Sequence, residues 1–229
     1  MTTSSGRPGA FVPRRAEHAS DPRHSPAMTT STERFDGWIG GIGTTSGLRL
    51  VVGHWPSSPY GSFTDVMLEH PDGHRVLLAP TQQVADFVAG TYTFDEVRLV
   101  PVAMRVDATT AHLDADDLTA TLQLGRRTAL GLLLCAVPTR LATAPRWIAT
   151  IDAVARRVLP GVRTVGSAGH GRTEYYGARD LHRITDATVH LGDDDQGAMT
   201  DVDPPVRFGF GSTPTTPSWV RITTLVTVG

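Results

Sequence analysis

The chain contains no lysine, since all 21 of its Lys-plus-Arg residues are arginine, and it contains no asparagine. Such a gap reads as codon usage in a GC-rich genome rather than selection at a site. It nevertheless excludes chemistry: without lysine there is no Schiff base, no pyridoxal-phosphate anchor and no phosphate-loop lysine. Cysteine is almost as scarce. Cys135 is the only one, so an intramolecular disulfide is impossible and a thiolate metal site is not expected. It sits inside the apolar run Ala129 to Val137 and is expected to be a buried structural thiol. That run is shorter than the roughly 20 apolar residues that span a bilayer. The amino terminus lacks an apolar signal core, so a cytoplasmic location is expected.

Charge is balanced. The 229 residues carry a formal net charge of −2, and neither the first 33 residues nor the remainder concentrates positive charge. Arg126-Arg127 and Arg156-Arg157 are too short to track phosphates, so neither nucleic acid nor membrane is an expected partner. Hydrophobic residues make up 40% and charged residues 19%, a composition that can bury a core.

Residues 1–33 are rich in Thr, Ser, Pro, Arg and Ala, and are expected to be a disordered leader ahead of one domain over 34–229. Met28-Thr-Thr-Ser-Thr repeats the texture of Met1-Thr-Thr-Ser-Ser, which leaves either methionine as the start. Trp38 to Ile42 and Leu48 to Val52 flank Thr44-Thr45-Ser46-Gly47 as a first hairpin. Ser62 to His70 and His74 to Leu78 flank Pro71-Asp72-Gly73 as a second. Thr81 and Gly90 bracket a helix over about 81–90. Strands resume at Val97 to Val106 and Leu118 to Leu124, while Ala129 to Val137 fits a buried strand or a buried helix equally. Thr143 and Pro145 open a second helix, 144–159, that Pro160-Gly161 ends; its Asp152 and Arg156 are expected to pair on the face away from the apolar stripe. Glu174 to Ala178, Ile184 to Leu191, Arg207 to Phe210 and Trp219 to Val228 read as further strands.

Short connections between successive strands favour antiparallel pairing, and only two helices stand out. The expected class is α+β: a mainly antiparallel, curled sheet of barrel or cone shape with two helices. In this coarse layout the chain resembles the β-cone of the acetoacetate decarboxylase type. The catalytic lysine of that family has no counterpart here, no motif matches, and no family is assigned.

The motifs that carry chemistry are few. Gly41-Ile-Gly43-Thr-Thr-Ser-Gly47 imitates a dinucleotide loop, but a strand rather than a helix follows, so it reads as a hairpin turn. His70 and His74, with Glu69, could meet at a hairpin base, yet nothing supplies another ligand and no metal is expected. Asp193-Asp194-Asp195-Gln196-Gly197 lacks the alternation and terminal Glu of a calcium loop. The stretch Gly169 to His182 is the densest in reactive side chains. Asp180 and His182 share a strand face at i,i+2, so the carboxylate could orient the imidazole for acid–base work; Arg179 could neutralise an anionic substrate group, but no Gly-x-Ser-x-Gly elbow supplies a nucleophile. His54 and Trp55 begin an aromatic- and proline-rich loop that could line a ligand mouth with Tyr175, Tyr176 and Arg179.

Three functions follow as expectations. The first is a small-molecule-binding domain with a cavity of about 300 Å³ or more inside the curled sheet. The second is a metal-independent enzyme using Asp180 and His182. The third is a protein-interaction or assembly domain marked by an exposed apolar patch. No cofactor is expected, and oligomeric state is not legible.

Overall fold

The computed structural model describes residue 2 and residues 31–158, 163–167, 172–209 and 213–228. The strands are β1 (Ser31–Thr44), β2 (Arg49–Ser57), β3 (Phe63–Glu69), β4 (Arg75–Ala79), β5 (Glu96–Leu99), β6 (Val102–Val106), β7 (Thr110–Ala115), β8 (Leu118–Arg127), β9 (Val165–Ser167), β10 (Arg172–Leu191), β11 (Asp194–Asp195), β12 (Met199–Thr200) and β13 (Ser218–Val228). The helices are α1 (Gln82–Ala89), α2 (Ala129–Ala136), α3 (Thr139–Ala142) and α4 (Pro145–Val158).

Local turn chemistry produces both expected hairpins. Gly47 and Gly73 adopt φ of +88° and +89°, which only glycine reaches without strain, and β1–β2 and β3–β4 pair antiparallel across them. Helix α1 is capped as expected by the Thr81 side chain, which accepts from the Val84 N–H, and it ends at Gly90.

The described strands form one sheet in the order β5-β4-β3-β2-β1-β13-β10-β8-β7-β6. It curls: β6, at one end of that order, lies against β3 near the other. Strand alternation sends two sets of side chains to opposite faces. On the concave face, Ile42, Leu50, Val66, Leu78, Leu122 and Trp219 belong to one core with residues of β7 and β10. On the convex face, Phe35, Val51, Met67 and Leu77 pack beneath α1, which contributes Val84, Ala85 and Val88.

The sheet is mostly but not wholly antiparallel, since β4 and β5 run parallel. The expected strand Val97 to Val106 is two strands sent to opposite ends of the sheet, because Val100-Pro101 interrupts the run. Among the described residues, four helices stand where two were expected. Ala129 to Val137 resolves as helix α2, capped by the Thr128 hydroxyl accepting from the Gly131 N–H. Glu174 to Ala178 and Ile184 to Leu191 lie on one 20-residue strand, β10, whose register shifts occur between Ala178 and Asp180 and again near Ile184.

Other expectations need correction. Residues 31–33, assigned to the leader, pair with β13; most of the leader lies outside the described residues. Arg207 to Phe208 is irregular, held because the Arg207 backbone N–H and Nε both donate to the buried Glu69 carboxylate; Phe210 lies outside the described residues. Asp152 does not face solvent: it is buried and accepts from the Thr164 N–H and hydroxyl. Cys135 is exposed rather than buried, its thiol pointing to the Arg179 carbonyl, because α2 turns its small Gly131 toward β10 and leaves its bulky residues outside.

Candidate functional site

The sheet places the expected site residues on two faces. Asp180 and His182 do meet, with His182 Nε2 3.3 Å from Asp180 Oδ2. Their surroundings are crowded. Asp180 accepts two hydrogen bonds from Arg127, each 2.8 Å, and His182 Nδ1 faces the Gly125 carbonyl at 3.1 Å. Burial raises the Asp180 pKa, but the Arg127 hydrogen bonds, the Leu181 N–H and the charges of His182 and Arg127 outweigh it and hold the carboxyl below its usual range. The His182 ring packs edge-on to Trp38, which stacks on Trp219.

Arg179 sits at the bulge in β10. Its Nη1 lies 3.5 Å from the Asp36 carboxylate, so its charge is already partnered. His54, also half-buried, pairs its Nδ1 with the Thr64 hydroxyl at 2.9 Å, and burial lowers its pKa. Consecutive residues of a strand point to opposite faces, so Trp55 leaves His54 and Tyr176 leaves Tyr175. His70 and His74 have ring centroids 6.1 Å apart, but His74 turns to Glu96 while Glu69 is taken by Arg49 and Arg207. No group of three or more metal-ligating side chains occurs among the described residues.

Trp55 and Tyr176 come together on the convex face, where they line a cavity of about 40 Å³ between the sheet and α1. This is far smaller than the chamber expected inside the curl, where side chains of the first core fill the space. Its walls are aromatic and aliphatic: Phe35, Phe63, Phe87, Ile39, Met67 and Val88. Phe35 stacks on Phe87 with centroids 4.8 Å apart and meets Trp55 edge-on at 5.9 Å.

Into this apolar setting β3 and β10 deliver acids that sequence reasoning passed over. Asp65 lies between Phe63 and Met67 on one face of β3 and is 3% exposed. It accepts from the Trp55 indole N–H at 2.9 Å. Gly53 makes that bond fit, since a Cβ there would stand 2.6 Å from both Asp65 Oδ1 and Trp55 Nε1. Burial raises the Asp65 pKa to about 7 against the lowering effect of the Trp55 bond and its own backbone N–H.

Glu174, two residues before Tyr176, is equally buried. Its Oε2 lies 3.3 Å from the Tyr92 hydroxyl and 3.4 Å from the Tyr176 hydroxyl, which also contact each other; with one proton apiece, the two phenols donate only two of these three contacts at a time. Burial likewise lifts it to about 7, opposed by those two bonds and by the charge of Arg172. Both phenols are raised well above their usual range, chiefly by burial and then by the Glu174 charge. The Thr224 hydroxyl, on β13, also lines the cavity and has no hydrogen-bond partner.

Two carboxyls near neutral titration and an unpartnered hydroxyl in an apolar pocket are the unusual chemistry of this fold, because buried acids ordinarily carry a cationic partner. Asp65 was legible in principle: alternation along Phe63-Thr64-Asp65-Val66-Met67 puts it on a core face. Tyr92 and Thr224 carried no such local signal.

No protein-family model matches the chain, nor does any curated protein. Among solved structures, an acetoacetate decarboxylase from Legionella pneumophila subsp. pneumophila str. Philadelphia 1 aligns with a TM-score of 0.38 and 11% identity over 86% of this chain and 87% of that one. A second structure of acetoacetate decarboxylase aligns with the same score and identity over 85% and 84%.

Proposed function

We propose that this chain is a small-molecule-binding domain whose site is the aromatic-walled cavity between the curled sheet and α1. The observation that carries the reading is the pair of buried acids, Asp65 and Glu174, beside the unpartnered Thr224 hydroxyl. Apolar residues of the same shape would make a more stable core, since an unsatisfied or weakly paired buried polar group costs about 1–3 kcal/mol. A few polar groups set in an apolar concavity are the ordinary anatomy of a ligand site.

Two other readings have support of their own. The 3.3 Å contact between Asp180 and His182 favours acid–base chemistry, but both ring nitrogens face acceptors and Arg127 holds the carboxylate, so proton transfer to a substrate requires a change of partners. Leu132, Leu133 and Leu141 are 59%, 67% and 41% exposed, the kind of surface that the assembly reading requires.

The binding reading is tested by titrating the full ¹⁵N-labelled chain with methylammonium chloride, methanol and sodium acetate in turn. At least one probe is expected to shift the Trp55 indole N–H saturably while the indoles of Trp38 and Trp219, on the opposite face, stay in place. Failure of all three probes to move the Trp55 signal selectively overturns the proposal.

A further inference from the structure

We infer that the group received by this cavity is a small ammonium-type cation, unsubstituted or singly methylated, held between Asp65, Glu174 and Thr224 under aromatic faces. The inference rests on the binding reading above and adds the chemical class of the ligand.

Charge is the first argument. Every ionisable side chain lining the cavity is an acid or a phenol: Asp65, Glu174, Tyr92 and Tyr176. With both carboxyls titrating near pH 7, at pH 8 they are largely ionised, repelling an anion and attracting a cation. Hydrogen bonding is the second. An ammonium group has three donors and no acceptor, and Thr224 Oγ1 offers an unoccupied acceptor beside the two acids. A neutral alcohol brings one donor and leaves an ionised buried acid without a countercharge, which is the costly outcome.

The aromatic lining is the third argument. A cation over a ring face gains about 0.5–1 kcal/mol when exposed and about 2 when desolvated. The protein already uses the contact at this place, since the Arg172 guanidinium lies over the Phe87 ring at 5.4 Å. Size is the fourth. A volume of about 40 Å³ compares with the roughly 10–15 Å³ of such space that holds one water. Ammonium or methylammonium fits.

The groups that set the pH response come from each element around the cavity. β3 supplies Asp65, β10 supplies Glu174, Tyr176 and Arg172, and the segment after α1 supplies Tyr92. Tyr60, packed on Phe35 and Phe87, faces Glu33. Asp86 on α1 is exposed, paired with Gln82. The acids near the cavity are therefore opposed only by Arg172 among the described cations that act on them, so raising the pH from 5 to 8 makes the pocket more negative. Cation binding then displaces protons.

The test repeats the Trp55 titration with methylammonium, methanol, acetate and tetramethylammonium at pH 5 and pH 8. Methylammonium is expected to bind at pH 8 and at least about tenfold more weakly at pH 5, with acetate inert and tetramethylammonium, which has no N–H to donate, weaker than methylammonium. Asp65→Asn and Glu174→Gln are each expected to weaken methylammonium at pH 8 by at least about tenfold, with an unchanged fold by circular dichroism. Selective binding of methanol or acetate in its place, equal affinity at both pH values, or full affinity in both variants overturns the cation assignment and leaves the binding reading standing. Silence from every probe overturns both.

Discussion

Replacing Glu174 with glutamine separates a structural acid from one retained for binding. In the folded chain the carboxyl holds its proton to about pH 7, against a reference value of 4.5. Folding therefore takes up a proton between those two values. Stability contributed by this group is highest below about pH 4.5, falls as pH rises toward 7, and levels off above it. The difference of about 2.5 units corresponds to roughly 3 kcal/mol at pH 8. Glutamine has no charge to bury, and its amide oxygen can still accept from Tyr92 and Tyr176, both of which bond the same Glu174 oxygen. Its amide NH₂ has only the Thr224 hydroxyl as a candidate acceptor and gives back up to about 1 kcal/mol if that bond does not form. Glu174→Gln is thus expected to be about 2 kcal/mol more stable than the natural chain at pH 8, and equal or slightly less stable at pH 5. Urea denaturation at the two pH values reads this directly, with unchanged m-values as the control. A loss of stability of similar size at both pH values would refute the reasoning, because it would make Glu174 an ordinary structural partner of the two tyrosines.

Further outcomes follow from neighbouring groups. Thr224→Val removes the unpartnered hydroxyl and keeps the shape, so it is expected to raise stability by about 1 kcal/mol; thermal denaturation checks it. Glu69→Ala leaves Arg49, 6% exposed in its side chain, without its carboxylate and frees the Arg207 segment, so a loss of about 3–5 kcal/mol is expected in the same assay. Cys135, exposed on α2, should be alkylated by a maleimide in the native protein at a rate unaffected by subdenaturing urea; modification only on unfolding would contradict its placement.

What the sequence revealed follows the range of the forces involved. The hairpins at Gly47 and Gly73 and the Thr81 cap depend on bonds within a few residues, and they stand where turn and cap chemistry put them. The split of Val97 to Val106 depends on which neighbour each half finds, a tertiary choice that alternation cannot express. Helix α2 was ambiguous because its apolar run has no polar face to set a period; the decisive signal was Thr128, which caps it. At the candidate site, Trp55 and Tyr176 were visible as aromatic residues near a turn and in a reactive stretch. Their neighbours His54 and Tyr175 were grouped with them by proximity in sequence, yet strand alternation sends each to the other face. Asp65 lay hidden within an apolar strand, and Tyr92 and Thr224 reach the cavity only through folding.

The measurement that bears most directly on the account is the titration of the Asp65 and Glu174 side-chain carboxyl ¹³C resonances, with and without methylammonium. Midpoints near pH 7 in the free protein that fall when the cation is added would support it. Midpoints near about 4, the ordinary carboxylate value, with no response to the cation would contradict it.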